Sequence, residues 1–326
     1  MALRLFCYCV STALAVQWCG SAPTHQGAVA SLTPVSPAER RAEPLAPLIR
    51  ALLDTAASGG TRAADARLQL QAGAEVRALY GREFLPAWSG SNGRGGADAT
   101  AALTLLSRAA EHGLRPADYG EFRLQALRDS LTQPAPPAQR ARQQARLDVF
   151  LSDAVLRFMR DLGRGRLHPY TASSREKVAG PTGQPVAVLR AALGQGTVSA
   201  AMLAGQPANR EYRQLQQALA RWLSRPVAPD SAAYHQAQYE QAAVNLERWR
   251  WEAFAPDSDY VLINVPAYEL QVVAAGVVAR RHRVVVGKPA TTTPTLTSTI
   301  RYFTLAPGWH VPHSIATKEM LPRIKQ

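Results

Sequence analysis

The side chains in this sequence that could carry chemistry are three cysteines, seven histidines and a few closely spaced carboxylates. A thiolate nucleophile needs a base or a positive neighbour to activate it. Cys7, Cys9 and Cys19 all fall in the first twenty residues, and no cysteine follows them. His310 and His313 stand three apart, but Pro312 between them spoils a helical ligand pair and no third ligand is in register. No metal and no cofactor is therefore expected. Asp148, Asp153 and Asp161 could supply an acid–base pair, yet with Arg157 and Arg160 nearby they read as solvated or arginine-paired carboxylates. Ser89–Gly96 is glycine-rich, but no Lys-Ser/Thr follows it to hold a phosphate. Tyr302 and Trp309 read first as core aromatics and second as a substrate platform.

The charge balance narrows the partners. The chain carries a net +13 with a pI near 10.2. Lys177, Lys288, Lys318 and Lys325 are its four lysines, so 33 of its 37 basic residues are arginine. A nucleic-acid binder would cluster them on one element with aromatics between. Here they are scattered through alanine-rich helices, which excludes nucleic acid as the expected partner and leaves a basic field suited to an anionic polymer.

The elements that must position any site follow from the hydrophobic period. Residues 1–30 read as an export signal: Arg4 is followed by the apolar Leu5–Trp18, which is too short to span a bilayer comfortably. Gly20-Ser21-Ala22 and Ala28-Val29-Ala30 both offer cleavage sites. Lipid attachment at Cys19 is disfavoured by the bulky Val16-Gln17-Trp18 before it. Residues 31–48, with Pro34, Pro37, Pro44 and Pro47, read as a linker. Residues 49–231 follow a helical period. Val76, Leu79 and Tyr80 share one face there, and Phe84–Trp88 forms a buried turn. A long helix over Gln139–Leu162 carries the stripe Leu147, Phe150, Leu151, Ala154, Val155, Phe158 and Leu162. Further helices are expected at Ala99–His112, Pro185–Leu203 and Glu211–Leu223, and Gly113 supplies a C-terminal cap.

Residues 232–326 open as a helix and change to period two near Tyr260. Tyr260–Val265, Tyr268–Val273 and Val277–Val286 read as strands, with a tight hairpin at Ala275-Gly276. Thr291–Phe303 reads as a further extended segment and Ser314–Leu321 as a helix. The fold class is α+β, a mostly helical domain followed by a strand-rich one.

Five motifs recur in order over the last eighty residues or so: Asn-Leu-Glu-Arg-Trp-Arg-Trp (245–251), Val-Pro-Ala-Tyr-x-Leu (265–270), Arg-Val-Val-Val-Gly-Lys-Pro (283–289), Thr-Pro (293–294) and Trp-x-Val-Pro-x-Ser-Ile-Ala (309–316). Together they resemble the entry into the catalytic domain of the large bacterial L,D-transpeptidases, the YkuD-type cysteine enzymes that cross-link peptidoglycan. Phe-Leu-Pro-x-Trp (84–88), His-Gly-Leu-x-Pro-x-Asp-Tyr (112–119) and Asp-Leu-Gly-x-Gly-Arg-Leu-x-Pro (161–169) resemble the helical scaffold domain of the same enzymes. The Leu223–Tyr239 interval is too short for the peptidoglycan-binding module that many relatives insert there.

The resemblance implies a β-sandwich begun within residues 232–326. It implies acyl transfer from a stem tetrapeptide through a cysteine, periplasmic or envelope localisation, and peptidoglycan stem peptides as partners. The family's nucleophile lies in a Ser-His-Gly-Cys-like motif after the helix near residue 321, with a histidine upstream of it. Neither occurs within residues 20–326 in that pattern. No catalytic residue is therefore assigned, the chain as given is expected to be inactive, and carbapenem-type inhibitors are expected to act only where the catalytic part is present. Tyr302, Trp309, Pro312 and Ser314 are the groove or lid candidates, and Trp249 and Trp251 the expected anchor between the two domains. The alternative is a non-catalytic envelope protein that binds or scaffolds peptidoglycan, associated peripherally with the envelope.

Overall fold

The structure is a computed structural model that describes residues 45–57, 69–89, 94–167, 184–251 and 259–324, without 295, 297, 307 and 309. The expected export signal, most of the expected linker, His168-Pro169 and Trp309 lie outside these residues. Helices dominate from Leu45 to Trp251 and three strands follow, an α+β arrangement.

In order, the helices are α1 (Ala46–Ala57), α2 (Gly73–Tyr80), α3 (Arg94–Ser107), α4 (Glu121–Thr132), α5 (Pro137–Arg164), α6 (Gln184–Ala192), α7 (Val198–Leu203), α8 (Arg210–Leu223) and α9 (Ala232–Trp251). Short 3-10 turns at Ala109–His112 and Pro116–Tyr119 link α3 to α4. Helix α1 begins at Ala46, inside the expected linker, because Leu45 and Ile49 are buried in the core. The single helix expected over Pro185–Leu203 is broken into α6 and α7, where Gly194 and Gly196 take positive φ.

Helix α5 is the axis of this body. Its 28 residues span about 42 Å. It starts on Pro136-Pro137, where a missing N–H costs nothing, and stops at Gly165, whose φ of 76° leaves the helical region. Helices α1, α2, α3, α4, α6 and α7 all pack against it. Leu151, Ala154, Val155, Phe158 and Leu162 are buried as the stripe predicts, with Leu147 and Phe150 partly buried at the rim. The burial extends further than one stripe, to Asp148, Ser152, Asp153 and Asp161 on other faces.

These polar residues hold the surrounding loops. Asp148 is neither solvated nor arginine-paired, contrary to the sequence reading. Its carboxylate accepts from the Tyr80 hydroxyl at 2.7 Å, the Ala87 N–H at 2.9 Å and the Trp88 N–H at 3.0 Å. The Trp88 indole N–H donates to Ser152 Oγ at 2.9 Å. The turn at 84–89 is thus tied down by side chains of α5, and Phe84 adopts a φ of 54° within it. Trp88 is buried there, whereas Leu85 of the same expected buried turn is exposed. Asp153 does pair with Arg157 at 3.2 Å, and it also accepts the Ala72 N–H at 2.7 Å, which leads into α2. Asp161 accepts the Tyr119 hydroxyl at 3.0 Å and lies beside Arg160 and Arg166.

Strands β1 (Tyr260–Asn264), β2 (Glu269–Ala274) and β3 (Val277–Arg283) form one antiparallel sheet in the order β1-β2-β3. The Ala275-Gly276 hairpin forms as expected, with φ of 49° and 73° at its two residues, the left-handed pair that such a two-residue turn requires. The extended segment expected over Thr291–Phe303 does not join the sheet, and its described residues have no ladder partner. The expected C-terminal helix forms as one run of His313–Ile315, Ala316–Met320 and Leu321–Ile324, with wider π-type turns in the middle.

Burial pushes the Asp148 carboxyl up to about 6, against the lowering effect of its hydrogen bonds. Replacing it by alanine strands two loop N–H groups and a buried phenol. Asp148→Ala is expected to lower stability by about 3 kcal/mol in urea unfolding. Asp148→Asn, which keeps one acceptor oxygen, is expected to lose less.

Candidate functional site

The motif at 245–251 lies at the end of α9, where the helical body meets the strands. Five of its seven residues pack or pair within the helical body. Leu246 is fully buried with Tyr212 and Leu219 in a second small core. Trp249 packs at the edge of that cluster, and the Trp251 indole N–H donates to Glu247 Oε1 at 3.0 Å. The two tryptophans expected to anchor one domain to the other thus make their described contacts within the helical body.

Glu247 and Arg250, which the sequence reading passed over, form the centre of this junction. Glu247 Oε1 accepts the N–H of Arg166 at 2.6 Å and of Leu167 at 2.7 Å, so the chain leaving α5 is bound to α9. Its Oε2 pairs with the Arg250 guanidinium at 3.3 Å. The Arg250 side chain is wholly buried; it donates to the His112 carbonyl and to the Tyr212 hydroxyl, and it lies 5.7 Å from the Tyr212 ring centre. Two glycines make room for α9. Gly113, with φ of 67°, would place a Cβ 2.8 Å from Ala243 Cα, and Gly165, with φ of 76°, would place one 2.6 Å from Glu247 Oε1. The signal in the sequence is a charged pair at i and i+3 on a helix that also carries the two tryptophans.

His112 sits beneath this pair, edge-on to the Phe158 ring at 6.0 Å. Burial first, and then the Arg250 charge, hold its imidazole down at about 4. It is therefore a neutral packed side chain at pH 7.

Beyond α9, the Tyr260 hydroxyl reaches the Glu211 carboxylate at 3.4 Å and ties the first residue of β1 to α8. The pairing Tyr260↔Val273, Leu262↔Gln271 and Asn264↔Glu269 sets one face of the sheet. Val273 on that face is buried, and Glu269 links Gln271 to Arg281 across it. Val261 and Ile263, on the other face, are 43% and 52% exposed. Val285, Leu296, Ile300, Tyr302, Phe303 and Leu305 are exposed as well. A tight turn, in which the Gly287 N–H donates to Thr293 Oγ1, joins two of the sequence motifs.

The groove and lid candidates are not gathered into a site. Tyr302 is 83% exposed, which corrects the expectation of a core aromatic: no second sheet lies over it among the described residues. Pro312 and Ser314 are exposed near the start of the C-terminal helix, and Trp309 lies outside the described residues. Among the described residues no group of three His, Cys, Asp or Glu side chains could hold a metal ion.

Comparison with known proteins assigns the two halves. Residues 74–219 match the family model described as the scaffold domain, and residues 258–326 match that of the L,D-transpeptidase catalytic domain. The chain thus matches a scaffold domain followed by an L,D-transpeptidase catalytic domain, in that order. A Haemophilus influenzae protein provisionally named an L,D-transpeptidase is 29% identical over 124 residues. The match takes in 38% of this chain and 23% of that protein.

Two outcomes test the junction. Glu247→Ala would leave the Arg250 charge buried without its carboxylate, and a loss of about 3–5 kcal/mol is expected on unfolding. For His112 the folded pKa lies below the ordinary one, so the neutral form stabilises the fold. That stability is complete above pH 6.5 and is lost as pH falls through about 4, amounting to about 3 kcal/mol. Asp148 contributes a gain of similar size over nearly the same range, so the two should largely cancel in the wild type, and His112→Leu should instead gain stability as pH falls from 6.5 to 4.

Proposed function

We propose that this chain serves peptidoglycan cross-linking, as the scaffold and first part of the catalytic domain of an L,D-transpeptidase. What supports the reading is the order of the two family matches on two structurally distinct parts, with the Tyr260 hydroxyl against Glu211 as a described contact between them. The proposed reaction is acyl transfer. A cysteine thiolate attacks the carbonyl of the bond between the L-centre and D-Ala of a stem tetrapeptide, D-Ala leaves, and a side-chain amine of a neighbouring stem then takes the acyl group and frees the thiol. The thiol and its histidine are placed outside residues 20–326, which contain no cysteine. Export on residues 1–30 to the periplasm or envelope belongs to the same proposal.

A second reading rests on the same absence of a thiol: a non-catalytic envelope protein that keeps the helical body for binding. One pair of measurements separates the two. Residues 1–326 alone are expected to give no 3–3 cross-linked product from tetrapeptide muropeptides by mass spectrometry. Joined to the remaining catalytic part of a family member, they are expected to gain the mass of one carbapenem, and replacing the supplied cysteine by alanine should abolish the adduct. A cooperatively folded fusion that takes up no carbapenem would leave the binding reading in its place.

A further inference from the structure

The helical body holds a cavity of about 300 Å3 that the transpeptidase reading does not use. It opens between the Pro116–Tyr119 turn, the start of α4 and the middle of α5. Tyr119, Leu124 and Phe150 supply apolar walls. Two carboxylates line it, and both are already satisfied by protein cations. Asp118 is held by Arg115 at 3.0 Å and by Arg166, and Asp153 by Arg157. Arg157 is spent in turn: it pairs with Asp153, donates to the Asp118 carbonyl and lies over the Tyr119 ring.

Arg123 differs. Among the described residues no carboxylate pairs with it; its guanidinium lies over the Phe150 ring, 4.8 Å from the centroid. The ring contact holds the guanidinium at the cavity, where its N–H groups have no carboxylate partner among the described residues. A planar fork of this kind matches a carboxylate with two parallel hydrogen bonds. Gln69 and Gln71, exposed on the same cavity, offer amide groups suited to peptide N–H and C=O. The volume suits a ligand of about two residues.

We propose that this cavity binds the carboxylate end of a short peptide, with Arg123 as the carboxylate partner and the glutamines on the adjoining amide. The ligand class follows from the cavity's own side chains.

The test uses the full chain and ligand-observed NMR titration with N-acetyl-alanyl-alanine and its C-terminal amide. The free carboxylate is expected to bind at least about tenfold tighter than the amide, and Arg123→Gln to erase that difference. Because Arg123 is exposed and loses only its contact with the Phe150 ring, the variant should stay folded with a melting temperature lowered by a few degrees at most. No saturable binding, equal binding of acid and amide, or a preference that survives Arg123→Gln would overturn the proposal. So would inorganic phosphate that binds as tightly as the peptide, since the cavity would then be a plain anion site. Binding is read without any acyl transfer, so failure here leaves the transpeptidase reading standing.

Discussion

The buried pair of Glu247 and Arg250 is the constraint on which the arrangement of the chain depends. Taking both charges out of water costs several kcal/mol per ion, and their mutual attraction offsets this only where the remaining donors and acceptors are met. Here the carboxylate accepts two backbone N–H groups and an indole N–H besides the guanidinium, and the guanidinium reaches a carbonyl and a phenol, leaving its Nε–H as the unmet donor. Those partners come from the chain just after α5, from the Ala109–His112 turn after α3 and from α8, besides Trp251 of α9 itself. One ion pair thereby fixes the position of α9 against three separate stretches of chain, and with it the point from which the strands depart.

A second polar system works along α5. Asp148, Ser152, Asp153 and Asp161 replace what could have been an all-apolar interior, and each binds a loop or helix start that lacks internal partners. The core around α5 supplies non-directional stabilisation, whereas these bonds select one path for the connections at 72, 84–89 and 116–119. Breaking one of them would leave a buried donor or acceptor unmet, a larger penalty than the bond's own net contribution.

The strand region has a different character. Its three strands pair well, yet the side chains beyond Arg283 are mostly exposed, including several large apolar ones. A strand buries its side chains only through neighbours on either face, and the described residues provide little cover for one face of this sheet. The motifs that link this region to the L,D-transpeptidases are therefore present as sequence and as local turns, and Tyr302, Pro312 and Ser314 are exposed among the described residues.

The sequence by itself determined the elements. Apolar spacing gave α5 to within two residues at either end, the alternation after Tyr260 gave the three strands, and Ala275-Gly276 gave the hairpin, because each rests on local period or backbone freedom. The ordered motifs gave the resemblance to the L,D-transpeptidases. The tertiary structure alone decided which charges are buried and with whom. Asp148 lies on α5 beside arginines in sequence yet serves the turn at 84–89, and Glu247 serves a chain about eighty residues earlier. Such partners are set by how helices pack, and a pattern of local spacing carries no information about contacts made across that distance.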